Sequence, residues 1–416
     1  MVKYKNVNVG LIGCGTVGVG VVKLIREGIS KRSGININLK KIADVNKKVE
    51  KFNGIKYTRN AEDVIYDPEI EIVVELIGGY EPALTYILRS LEKGKHIVTA
   101  NKAVLSEFAP MIFSKAKQKN LFVGFEASVC GSIPIINILL ESIPTNIKSI
   151  IGIVNGSTNY ILTKMREKDY QKALKEAQDK GFAERDPSFD INGLDSAQKL
   201  AILFLISKGV YVKSTQIYTE GIVNITKKDL EYAEELGYTI KLLAIANFSR
   251  IPEVRVHPAF VPKTHLLSSI EYENNAVYIT GEAIGPQMYT GKGAGMLPTA
   301  NAVISDIINI AKGKSYDVPE FSNKTIKIKN HKDYKLEYYF RFLALDKPGV
   351  LAKISNILGA YNISIASVIQ KEKGRYVPIV MMTHKSTEGN VYKAIRKIEK
   401  LDCIKGKANL IRVLDI

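Results

Sequence analysis

The chain has 416 residues, 46% hydrophobic and 24% charged, which predicts two or three domains with sizeable cores and excludes disordered, collagenous and disulfide-framework proteins. Apolar runs such as AILFLI at 201–206 are too short to span a membrane, and the N-terminus lacks a secretory apolar region, so a cytoplasmic protein with no membrane partner is expected. Lys and Arg total 59 against 42 Asp and Glu, a formal charge of +17, yet the lysines are scattered among acids, as in KALKEAQDK, which favours a solvated basic surface over a nucleic-acid face.

Residues 7–12 form a strand-like apolar run closed by glycines, followed by the amphipathic stretch VGVGVVKLIREGI. INLKKIAD, EIEIVVELIG, HIVTAN and NLFVGFEAS read as further strands, with PALTYILRSLEKG a helix among them. Short apolar strands alternating with helices predict an α/β, Rossmann-type doubly wound parallel sheet over residues 1–132. Residues 133–305 are mixed: strand-like IKSIIGIVNGS, helical NYILTKMREK and YQKALKEAQDKG, a polar loop, the helix LDSAQKLAILFLIS, then strand-like EVRVHPAFVP and NAVYITGEAIGP. They predict an α+β substrate and dimerisation domain, with a helix near 300–315 able to return to the first domain. Residues 316–336 are polar and basic and read as a linker. From 337 to 416 the order β-α-β-β-α-β predicts a ferredoxin-like domain.

The first chemical signal is GCGTVG at 13–18, a G-x-G-x-x-G between a predicted strand and a helix. Gly13 and Gly15 would let a pyrophosphate approach backbone N–H groups, and Gly18 would let helix and strand pack. Asp44 closes the second strand, where a carboxylate accepts hydrogen bonds from a ribose 2′-hydroxyl and favours NAD; the plainer reading is a turn residue. Lys47 and Lys48 follow and suit a 2′-phosphate, so NAD and NADP both stay open. Cys130 reads either as the nucleophile of an aldehyde-oxidising enzyme or, better, as a buried structural thiol, since no histidine is an obvious partner.

Segment 177–199, AQDKGFAERDPSFDINGLDSAQK, sets four acids beyond Gly181 and opens a strongly apolar helix. Asp195 and Lys199 lie four apart on one face of it. A surface ion pair is the plain reading, but a helix apolar on nearly every side is buried, and a charged pair on it needs a purpose. Acids beside a lysine suit a substrate with an ammonium group and a hydroxyl that must lose a proton. Lys102 stands just past the HIVTAN strand, at the strand end where such sheets bind ligands. Two converging lysines are expected to depress each other's pKa.

The segment 177–199 resembles the homoserine dehydrogenase motif A-x3-G-[hydrophobic]-[small]-x2-D-P-x2-D-[aliphatic]-x-G-x-D-x3-K at every defined position. GLIGCGTVGVGVV, IVVELIGG, HIVTANKAVLS, FEASVCGSIPII and GKGAGMLPTANAV are similar to the same family, and LALDKPGVLAKISNILGAYNISI resembles an ACT domain, an amino-acid-sensing module. The resemblance implies reversible oxidation of L-homoserine to L-aspartate 4-semialdehyde with NAD or NADP, in threonine and methionine synthesis. By position it implies Lys199 as proton donor to the aldehyde oxygen during reduction, with Lys102 beside it. Glu184 would bind substrate, and Asp190 and Asp195 would orient its amino group or the lysines. Gly13, Gly15, Thr16, Val17, Gly18, Asp44, Gly78, Lys102, Gly181 and Gly293 fall at cofactor positions, the last two near the nicotinamide. Glu126, Val129, Gly131 and Ile133 match a structural site for sodium or potassium, held largely by backbone carbonyls. Ala43 stands where many members have an arginine for the 2′-phosphate.

A dinucleotide fold starting at residue 7 leaves no room for an N-terminal kinase fusion, so a monofunctional chain is expected. A homodimer or homotetramer is expected too, with ACT sheets paired edge to edge across a two-fold axis around an amino-acid effector, threonine first. Gly349 and Asn362 would line that site. The competing readings are a phosphorylating semialdehyde dehydrogenase using Cys130, and a non-enzymatic sensor acting on nucleic acid.

Overall fold

The structure, a computed structural model, describes residues 4–46, 52–143, 145–314 and 326–415. Lys47 and Lys48 lie outside the described residues, as does 316–325 of the expected linker.

The first sheet consists of β1 (Lys5–Ile12), β2 (Ile35–Ala43), β3 (Lys56–Thr58), β4 (Ile72–Glu75), β5 (His96–Thr99) and β6 (Val123–Gly124). Every pairing is parallel and the order is β3-β2-β1-β4-β5-β6. Helices cover both faces, which is why neighbours such as Val73 and Val74, or Ile97 and Val98, are buried together. Helix Thr16–Arg26 and the much later helix Met296–Ala311 share one apolar core with β1. Their contact depends on Gly20, where a Cβ would lie 2.9 Å from the Met296 carbonyl oxygen. Strand order reverses between β1 and β4, so the loops after these strands open a crevice at the carboxyl end of the sheet.

The middle of the chain supplies β7 (Ile147–Ile153), β8 (Tyr218–Thr219), β9 (Tyr238–Asn247), β10 (Glu253–Pro262), β11 (Asn274–Gly281) and β12 (Gly285–Lys292). The C-terminal domain supplies β13 (Lys335–Leu336), β14 (Tyr338–Leu345), β15 (Ile365–Ile369), β16 (Tyr376–Thr383), β17 (Ser386–Thr387) and β18 (Asn409–Val413), with helices Val350–Ala360 and Glu388–Ile398. The expected linker therefore ends early: Lys335 and Leu336 pair with Thr387 and Ser386.

These two regions are not separate sheets. One path runs β12-β11-β7-β9-β10-β18-β14-β16-β15, with β8 added beside β10. The junction is the parallel pairing of β10 with β18, Ala259 opposite Arg412 and Phe260 opposite Val413. Around it the rings of Phe260 and Tyr339 lie 4.6 Å apart, and Asp229 binds both the Tyr339 hydroxyl (3.0 Å) and Arg341 Nε (2.7 Å). Tyr339, Val380, Met382, Ile411 and Val413 enter the core of the middle domain. The expectation of free ACT edges is corrected accordingly. One edge, β18, is already paired within the chain, because a bare strand edge gains hydrogen bonds from any neighbour that reaches it. The other, β15, is open among the described residues. No described helix is long and apolar enough to cross a membrane.

Candidate active site

Helix Leu194–Lys208 crosses the middle of the molecule between Gly193 and Gly209, both left-handed at φ 83° and 64°. Twelve of its fifteen residues are buried, as an all-round apolar helix requires. Asp195 and Lys199 are buried with them. Lys102 reaches the same point from the first turn of helix Lys102–Gln118, which starts just after β5.

Asp195 joins the two lysines. Its Oδ1 lies 2.7 Å from Lys102 Nζ, and its Oδ2 accepts from Lys199 Nζ at 2.8 Å. Lys199 Nζ also donates to the Val154 carbonyl at 2.7 Å. An ammonium has three N–H groups, so among the described residues one remains for a ligand. Burial opposes ionisation of Asp195, but Lys199 and Lys102 hold its carboxyl well below the usual range. Asp190 moves the other way, raised by its own burial and by Asp195. Lys102 is raised, by Asp195 first and against burial, with Asp190 and Glu184 adding to the field. The expected mutual depression of the lysines thus fails for Lys102, because the carboxylate between them outweighs their repulsion.

Sequence reasoning missed Asn155. It caps helix Gly156–Lys164, its Oδ1 accepting from Thr158 N–H at 2.8 Å, which turns its amide NH₂ outward. That group donates to Asp190 Oδ1 and to Asp195 Oδ2, each at 2.8 Å. The capping position was visible as Asn before a helical run; the second use was not. The centre of the Phe189 ring lies 5.9 Å from Lys102 Nζ, and Glu184 and Gly181 are exposed on the loop before it.

The glycine-rich loop fits a dinucleotide. A Cβ on Gly13 (φ 93°) would lie 2.8 Å from the Leu76 carbonyl carbon, and one on Gly18 would lie 2.5 Å from the Gly13 oxygen. Gly15 instead faces open space, and helix Thr16–Arg26 has no side-chain cap, which leaves its first-turn N–H groups, including those of Thr16 and Val17, for an anion. Asp44 Oδ2 accepts from Cys14 N–H at 2.6 Å and its Oδ1 from Asn46 N–H at 2.7 Å, so this acid braces the loop from beside the site. Gly78 is left-handed (φ 74°) on a loop that buried Glu75 holds, accepting from Ile77 N–H (2.8 Å) and from the Thr99 hydroxyl (2.7 Å).

Glu126, Val129, Gly131 and Ile133 are buried together. The Glu126 carboxylate accepts from Ile136 N–H (2.8 Å), Asn137 N–H (2.9 Å) and the Asn137 amide, and burial pushes it up to about 7. Both carboxylate oxygens are thus engaged by N–H donors, and the Ile133 carbonyl accepts from Ile135 N–H at 2.7 Å; the four residues offer only oxygens, the donor chemistry a hard cation takes. Cys130 is buried too, and burial pushes its thiol up to about 12, so it is no thiolate nucleophile at neutral pH. Gly131 and Gly293 touch: a Cβ on Gly131 would lie 2.7 Å from the Gly293 oxygen.

Comparison with known proteins gives the family. Residues 13–126 match the family model for the homoserine dehydrogenase NAD-binding domain, 134–308 that for homoserine dehydrogenase, and 338–403 that for the ACT domain. A homoserine dehydrogenase of Pseudomonas aeruginosa is 39% identical over 98% of this chain and 99% of its own. The crystal structure of a homoserine dehydrogenase from Thiobacillus denitrificans superposes with a TM-score of 0.92 at 42% identity, covering 99% of both chains. A hyperthermophilic archaeal homoserine dehydrogenase mutant in complex with NADPH matches at a TM-score of 0.65 and 26% identity, over 75% of this chain and 99% of that one. Sequence, fold and site converge: the chain belongs to the homoserine dehydrogenase family of oxidoreductases and carries an ACT domain at its C-terminal end.

Proposed function

We propose that this protein interconverts L-homoserine and L-aspartate 4-semialdehyde with NAD or NADP, Lys199 moving the proton at the substrate oxygen. The observation that carries the reading is the cluster of buried Lys199 and Asp195 with half-buried Lys102, beside the carboxyl end of the dinucleotide sheet. A bound dinucleotide supplies or accepts the hydride. Lys199 Nζ, held by Asp195 and Val154, gives a proton to the oxygen in reduction and takes it back in oxidation. Lys102 adds positive charge near the developing alkoxide. Asp190 and exposed Glu184 suit the ammonium group of an amino-acid substrate.

Gly13, Gly15, Thr16, Val17 and Gly18 would hold the pyrophosphate, Asp44 the ribose, and Gly78, Gly181 and Gly293 the remainder of the cofactor. The oxygens of Glu126, Val129, Gly131 and Ile133 would hold sodium or potassium in a structural role. We also read the ACT domain as an effector module, with threonine, the pathway end product, the first ligand to try. Gly349 (φ 84°) opens helix Val350–Ala360 without a side-chain cap, and Asn362 follows that helix with φ 55°. A cytoplasmic homodimer or homotetramer completes this reading.

Initial rates with L-homoserine and each of NAD and NADP test the activity. A protein that binds NADH but reduces neither cofactor with L-homoserine sinks it. Calorimetry with threonine, methionine, isoleucine and lysine tests the effector site, and no heat from any of them leaves the domain a structural role alone.

A further inference from the structure

We infer that Arg412, in the last strand of the ACT domain, is a positioning residue for the substrate loop at 188–193, acting through Glu220 and Gly221. The inference rests on the reading of that loop as substrate-binding.

Arg412 is fully buried. Within its own domain Glu388 grips it at two points, Nε to Oε2 at 3.0 Å and Nη2 to Oε1 at 2.6 Å. That pair already neutralises the guanidinium. Two further acceptors nevertheless come from the other domain: Glu220 Oε2 at 2.7 Å from Nη1 and the Tyr218 hydroxyl at 2.7 Å from Nη2. Charge-assisted bonds away from water are strong and directional, so Arg412 fixes the segment 218–222 in space.

That segment lies directly under the loop. Glu220 N–H donates to the Val256 carbonyl at 2.8 Å, and Ile222 N–H donates to the Ile191 carbonyl at 2.8 Å. Between them, a Cβ on Gly221 would fall 1.9 Å from the Ile191 oxygen and 2.5 Å from Asn192 Cα. No side chain fits there. On the far side, a Cβ on Gly193 would lie 3.1 Å from the Thr219 methyl. Ile191 follows Asp190, which Asn155 ties to Asp195. Small movements at such tight contacts are transmitted rather than absorbed.

The test uses the full-length protein with Glu220→Gln and Arg412→Lys. Each should raise the KM for L-homoserine at least about fivefold, the low end of coupling between sites, while the dinucleotide KM and kcat change less. Hydrogen exchange across 188–193 should accelerate in both variants. Glu220 has 27% of its side chain exposed, so Glu220→Gln decides the matter if Arg412→Lys does not fold. An unchanged homoserine KM, an equal rise in both KM values, or unchanged exchange each overturns the inference. Exchange is read without turnover, so an inactive wild type would sink the substrate reading and still leave the Arg412 link measurable.

Discussion

Two ion clusters divide the work of this molecule. In the crevice, two lysines share Asp195, one ammonium hydrogen of Lys199 is unassigned among the described residues, and the Lys102 side chain is 36% exposed. At the domain junction, one guanidinium meets two carboxylates and two tyrosine hydroxyls, and none of its surface reaches solvent. A cluster with an open side can take a ligand. A sealed one holds two pieces of chain in register. The same residue chemistry therefore gives reactivity or rigidity according to whether solvent or a ligand can reach it.

The largest expected effect tests the first cluster. Lys199→Ala should lower kcat by about 10²–10⁴, as for a lost general acid, with dinucleotide affinity by fluorescence titration nearly unchanged. Asp195 keeps Lys102 as partner in that variant, so its folding should suffer little. Near-normal kcat in the folded variant would remove Lys199 from proton transfer. The junction should respond in reverse: Arg412→Ala strands Glu388 in the interior and should cost about 3–5 kcal/mol in denaturant unfolding. Unfolding indistinguishable from wild type would mean the Arg412 cluster does not hold the junction together.

Two smaller effects sharpen the contrast. Asp44→Asn keeps an acceptor for Cys14 N–H but removes a charge near the expected 2′-phosphate. The NADP to NAD ratio of kcat/KM should rise about fivefold, for an interaction near 1 kcal/mol in water. A flat ratio would leave Asp44 as a loop brace alone. The smallest effect concerns pH. Lys102 is held above its ordinary value, so its ion pair contributes stability that is fully present below the unfolded pKa and is lost as pH rises through the folded one. Wild type should unfold at a higher temperature than Lys102→Met at pH 8, and the gap should close above roughly pH 10.5. A gap that closes near neutrality would mean Lys102 is depressed after all.

Much of the site could be read along the chain because its chemistry is local in sequence. Asp195 and Lys199 are one helical turn apart, and the glycine pattern at 13–18 combines strand end, turn and helix start. Lys102 could be placed because strand ends in a parallel sheet point to one side. Asn155 could not, since its contacts to Asp190 and Asp195 span 35 and 40 residues. The sign of the Lys102 shift was missed for a related reason: proximity of two lysines is legible, whereas the carboxylate lying between them is a matter of geometry.

Hydrophobic period and glycine placement, both short-range, were enough to determine a doubly wound sheet, a buried central helix and a C-terminal βαββαβ unit. What tertiary structure alone decided is how that last unit is joined. Residues 409–413 read equally well as the free edge of a small sheet, and nothing within them names a partner. Only in three dimensions does β18 meet β10, more than 140 residues earlier, at Ala259 and Phe260. Strand pairing is made by backbone groups that every residue carries, so its partner is selected by packing around the pair, here Tyr339 on Phe260 and Arg412 on Glu220.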